Sequence, residues 1–180
     1  MNKLMLGALA VAFGLNAGVA CAKLAKEEYK TAKDSIDTEY KNARERCRSL
    51  AGNAKDICMA EAKGNQKVAK AELDARDKNT NKARQEAREA RAEADYQVAK
   101  EKCDDKGGNE KNVCVKEAKA ARTAAMADAK VARKAGDARK DAAEDKRDAD
   151  YAVARERCAK FAGDAKDRCL NDAKAQYGKR

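Results

Sequence analysis

The sequence predicts an all-α fold: three tandem disulfide-clamped helical hairpins, coiled-coil-like, elongated and thin in the core. Three observations carry this expectation. Of 180 residues, 42 are alanine and 40% are charged, and there is no proline to interrupt them; Ala, Lys, Glu, Arg and Gln are the strongest helix formers. Large apolar side chains are scarce, and a buried alanine removes little area from water at roughly 25 cal/mol per Å², so a conventional globular core of this size cannot be filled. The third observation is a cysteine-bracketed phrase written three times, as "ERCRSLAGNAKDIC", "EKCDDKGGNEKNVC" and "ERCAKFAGDAKDRC".

The N-terminal stretch "MNKLMLGALAVAFGLNAGVACA" reads as a secretory signal peptide over residues 1–22. A single lysine, Lys3, precedes an apolar run from Leu4 to Leu15, and small residues follow. That is the charged, apolar, small-residue order of a leader, and the run is short for a spanning helix. Ala20-Cys21-Ala22 fits small-x-small cleavage, giving a chain that starts at Lys23 with no transmembrane segment after signal cleavage. The alternative is a lipoprotein anchored at Cys21, although Gly18 stands where lipoprotein boxes carry an aliphatic residue. Either route leaves six cysteines, an even number suited to an oxidising compartment. The expected address is periplasmic.

The repeat is defined by its cysteines. Cys47, Cys103 and Cys158 are the first members, and Cys58, Cys114 and Cys169 each follow eleven positions later. A tyrosine stands seven before each first cysteine (Tyr40, Tyr96, Tyr151) and an alanine four before it (Ala43, Ala99, Ala154). These positions share one helix face, so the tyrosines are expected to cover the disulfides and fill the seam between helices. Five residues past each first cysteine comes Gly52, Gly108 or Gly163. Glycine takes the left-handed conformation that ends a helix without steric cost. The next residue, Asn53, Asn109 or Asp164, is expected to be the N-cap of the following helix. The phrase therefore reads helix, glycine corner, capped helix. It places the two cysteines at matching depth on antiparallel helices, where one disulfide staples each hairpin. A closed loop of this length is worth on the order of 3 kcal/mol in the chain-entropy model. Metal binding is the weaker reading, since there is no C-x-x-C and no histidine.

Between the corners, "RDKNTNKA" (Arg76 to Ala83) is the best break, rich in turn-forming residues. "KAGDA" (Lys134 to Ala138) repeats the Gly-Asp corner and is the expected second break, and "KGNQK" (Lys63 to Lys67) is a lesser candidate. The hairpins are accordingly placed at 23–79, 80–135 and 136–180.

Composition also bears on function. Without histidine, acid–base catalysis would fall to carboxylates and lysines, yet these occur as "EAREARAEAD" and "RKDAAEDKRDAD", the pattern of solvated helix faces with i,i+4 pairs. No enzyme and no cofactor is expected. The net charge of +10 comes from 41 positive and 31 negative residues intermixed along the chain. No dense basic block or interleaved aromatics point to nucleic acid, so none is expected as a partner.

The triplicated "YxxAxExC…G[ND]xKxxC…AK", together with the leader, resembles a group of small, uncharacterised secreted Ala/Lys-rich helical proteins of Gram-negative proteobacteria, often labelled TolA-like. The label rests on an Ala/Lys/Glu/Asp-rich helical composition. TolA-type proteins keep an inner-membrane anchor and end in a separate globular domain, and neither is visible here, so TolA's energy-coupling role is not carried over. The resemblance implies a periplasmic, cell-envelope setting. A slighter likeness is to the peptidoglycan-linked outer-membrane lipoprotein, an alanine-rich helix with a C-terminal lysine; here Lys179 is next to last. The function expected from residues and resemblance together is a non-catalytic envelope spacer or interaction module. Its partner would be an envelope protein or an anionic envelope polymer, with self-association a further expectation. The alternatives are a hydrophilic, desiccation-type stress protectant or a weak polyanion binder.

Overall fold

The computed structural model describes residues 23–179; the leader with Lys3 and Cys21 lies outside them. The described chain forms five helices: α1 (Lys26–Cys47), α2 (Gly52–Lys78), α3 (Asn81–Cys103), α4 (Gly108–Cys158) and α5 (Gly163–Tyr177). The fold is all-α, with disulfide-clamped hairpins. Among the described residues each helix packs against its neighbours in chain order and against no other helix, so the helices form an open row rather than a closed bundle.

The composition explains this openness. Among the described residues the buried hydrophobic side chains are alanines such as Ala83, Ala87 and Ala94, the cysteines Cys47, Cys103 and Cys158, and two larger aliphatics, Val68 and Leu73. Small side chains let two helices approach closely but supply too little volume to fill a space enclosed by four. The approach of α2 to α3 is close. A Cβ built on Gly64 would lie 2.9 Å from the Cβ of Ala94, so glycine is needed there for contact. "KGNQK" is therefore no break, and α2 runs straight through it.

The break in "RDKNTNKA" is present. Asn79 adopts the left-handed conformation (φ 47°) and closes α2. Thr80 then caps α3 by accepting from the Ala83 amide at 3.1 Å. The expected break in "KAGDA" is not present. α4 continues through Lys134–Ala138 as one helix of 51 residues, so the boundary between 135 and 136 falls inside a helix. Gly136 serves close approach instead: a Cβ there would lie 2.8 Å from the side chain of Asn81, at the start of α3. Asn81 donates to Asp137 at 2.9 Å, and Arg133 pairs with the same carboxylate at 3.1 Å. These contacts hold the helix where a corner was expected.

The continuous α4 decides the layout. The first two disulfide corners lie at one end of the row, joined by the Asn53 side-chain amide donating to the Glu101 carbonyl at 2.8 Å. At the other end α4 passes Asn81 and runs on for roughly 33 Å at 1.5 Å per residue. It carries the third corner and α5 away from the first two hairpins. Residues 138–150 of α4 are exposed on every side.

Candidate functional site

The three corners share one local geometry. Two residues after each first cysteine form a tight turn, with amide-to-carbonyl bonds from Leu50 to Cys47 (3.2 Å), Lys106 to Cys103 (3.1 Å) and Phe161 to Cys158 (3.1 Å). Gly52, Gly108 and Gly163 have φ of 56°, 50° and 53°, a left-handed conformation that costs any other L-residue energy. Disulfides join Cys47–Cys58, Cys103–Cys114 and Cys158–Cys169, with Cα separations of 5.6, 5.7 and 5.7 Å. The first cysteine of each pair is buried and the second half-buried. The pairs thus sit at matching depth across antiparallel helices.

One detail of the corner departs from expectation. Asn53, Asn109 and Asp164 are not N-caps. Each cap lies two residues earlier, at the extended residue before the glycine: Ala51, Gly107 or Ala162, none with a side-chain cap bond. A left-handed glycine turns the chain before the Asn or Asp is reached, which puts that residue in the first turn. Asp164 there suits the positive end of the helix dipole. Asn53 is freed to reach across to α3.

The tyrosines are half-buried at the seams, and each carries a guanidinium against its ring. Arg44 lies 5.5 Å from the centroid of Tyr40, and Arg155 lies 5.8 Å from that of Tyr151. Both are one turn along the same helix. Tyr96 has Lys100 at that place, and its cation arrives from α4 instead: Arg122, 5.0 Å from the centroid, also paired with Glu93 at 2.9 Å. One repeat later than Arg122 stands Tyr177, whose ring is 6.2 Å from that of Tyr151. One repeat earlier stands Gln66, which donates to Asp37 at 2.6 Å. Gln66, Arg122 and Tyr177 therefore occupy one position on the second helix of each hairpin. Sequence reasoning missed them because their side chains differ, although the cysteine spacing locates them.

Polar contacts tie α1 to α2. Asp37 accepts from Gln66 and pairs with Lys70 at 2.6 Å; these two bonds hold its carboxyl below the usual aspartate range. Near the open end, the Tyr29 hydroxyl donates to Asp74 at 2.5 Å. That bond, together with Lys78, lowers the Asp74 carboxyl, and it raises the Tyr29 phenol. The shifted groups are thus held by partners that join helices or brace a single one.

An open groove of about 660 Å³ lies between the first hairpin and α3. Arg44, Lys63 and Lys67 line it together with Asp56, Glu93 and Glu101. This mixed lining favours no ligand of a single charge. Among the described residues no helix is long and apolar enough to cross a membrane. Comparison with family models, with curated proteins and with solved structures yields no match for this chain.

Proposed function

We propose that this chain is a non-catalytic helical-repeat protein that acts as a cell-envelope spacer or interaction module, in the periplasmic setting that its resemblance to the TolA-like secreted proteins implies. The observation that carries the reading is the clamped rod. A single helix of 51 residues spans roughly 77 Å at 1.5 Å per residue, with a disulfide corner at each end. Its first part packs on α3 through small residues such as Ala129 and Gly136, and its last part is held by the third disulfide corner and α5. Three disulfides are compatible with an oxidising, extracytoplasmic compartment. The interleaved charges along the outer faces suit contact with protein or with anionic polymer without commitment to one sign.

The test is the intact mass of the protein from its native envelope fraction, before and after reduction and alkylation. The reading expects a chain beginning at Lys23 that takes up six alkyl groups only after reduction. An acylated chain beginning at Cys21 keeps the spacer and places one end in a membrane. A chain retained in the cytosol with free thiols overturns it.

A further inference from the structure

Among the described residues, one face of α4 lacks a partner that its repeat counterparts have. Ala129, Gly136, Tyr151 and Cys158 lie on the side of α4 that meets α3 and α5. On the opposite side, at 100° per residue, lie Ala120, Ala124, Val131, Ala142, Ala149 and Val153, all exposed. Val131 and Val153 are 64% and 52% accessible.

The interface between α2 and α3 shows what such a face pairs with. Gly64 meets Ala94, Glu61 pairs with Lys102 at 3.8 Å, Glu72 pairs with Arg91 at 2.8 Å, and Asn53 bonds to Glu101. One repeat on, each member of these pairs has a counterpart, and every counterpart lies on α4. Gly64 and Ala94 become Ala120 and Ala149. Glu61 and Lys102 become Glu117 and Arg157. Glu72 and Arg91 become Asp128 and Lys146, while Asn53 and Glu101 become Asn109 and Glu156. Both charge pairs keep their signs.

Within one chain these counterparts cannot meet. In a straight helix Glu117 and Arg157 are about 60 Å apart, and Asp128 and Lys146 about 27 Å apart. Folding α4 back on itself would require breaking it at Gly136, where Asn81 and Arg133 both hold Asp137. A second copy satisfies all the pairs at once. Laid antiparallel about a two-fold axis near Ala135, each α4 presents Asp128 to Lys146 and Glu117 to Arg157 of the other. This is the self-complementary arrangement of an isologous dimer. The spacing must be slightly wider than that of α2 on α3, because Ala120 carries the Cβ that at Gly64 would lie 2.9 Å from Ala94; Ala124, where α2 has the larger Val68, leaves room beside it.

We infer that the open face of α4 is a dimer interface, in which α4 of one chain packs antiparallel on α4 of a second copy in the manner of α2 on α3. The inference stands on the fold and the repeat, and does not depend on where the protein works.

Sedimentation equilibrium of the oxidised mature chain tests it, with Asp128→Lys, Lys146→Asp and the double exchange as variants. Both sites are exposed, and circular dichroism checks that each variant keeps its helices. The expected result is a two-chain mass. Either single reversal places like charges together twice per dimer and raises the dissociation constant roughly tenfold; the double exchange restores it. A single-chain mass at roughly 100 μM protein, whether extended or folded back, overturns the inference. So does a two-chain mass that neither reversal changes.

Discussion

The side-chain amide of Asn81 donates to the carboxylate of Asp137 at 2.9 Å, fastening the start of α3 to the midpoint of α4. Below that bond α4 has one helical neighbour, and for a stretch beyond it none. The bond and the Arg133 pair on the same carboxylate secure the point where the two-hairpin row gives way to a bare rod. Asp137→Ala should cost about 1 kcal/mol, the scale of one partly exposed hydrogen bond. Amide exchange should quicken around residues 134–138, with the disulfide corners unaffected.

Gly64 sets the spacing of α2 and α3. Gly64→Leu forces its side chain into Ala94 and should destabilise by about 1–3 kcal/mol through overpacking, measured by urea unfolding. Gly64→Ala should cost less, because the gain in helix propensity of about 1 kcal/mol offsets the clash. An unchanged midpoint for Gly64→Leu would mean that the two helices do not touch.

The contacts at the open end of α1 titrate. Asp74 has its carboxyl lowered by the Tyr29 hydroxyl and Lys78, so its stabilising contribution is present above the unfolded aspartate value of about 4. That contribution is lost as pH falls through the lower folded value. The Tyr29 phenol is raised, so its contribution is present below about pH 10 and lost as pH rises through the folded value. The acid effect is worth no more than about 1 kcal/mol after solvent screening. Melting at pH 7 and pH 3 should differ less for Asp74→Asn than for the wild-type chain, and the difference should map to faster exchange in α1.

Because α5 packs on α4 alone, it depends most on its staple. Its 15 residues fall at the length where an isolated helix is marginal in water. Replacing Cys158 and Cys169 by serine should release α5, lowering helix content by about its own length, while α2 and α3 keep their exchange protection. Equal loss across the molecule would show that the hairpins are not independent at this end.

Much of this was legible because the corner is local. Cysteines eleven apart with a glycine between them define a reversal and a staple through nearest-neighbour geometry alone. The failures arise where the same letters meet different surroundings. Ala-Gly-Asp-Ala occurs at 162–165, where flanking cysteines clamp a corner, and at 135–138, where no cysteines flank it and the helix continues. The misplaced caps have a backbone cause, since a left-handed glycine consumes the turn before Asn53 is reached. The cation on Tyr96 comes from Arg122 because Lys100 replaces the arginine found one turn beyond the other two tyrosines. That contact lies 26 residues away, and helical periodicity alone does not register it.

Reduction is the most direct measure of the central claim, that three disulfides hold a thin-cored array of helices in place. Far-ultraviolet circular dichroism melting of the mature chain, with and without reductant, reads it. The account predicts a cooperative melt in the oxidised protein, and on reduction a lower midpoint with loss of helix already at room temperature, the bridges being worth on the order of 3 kcal/mol each. An oxidised chain with little helix in plain buffer would contradict it in favour of a desiccation-type protectant. A midpoint and helicity untouched by reduction would contradict it by showing that the staples carry no part of the fold.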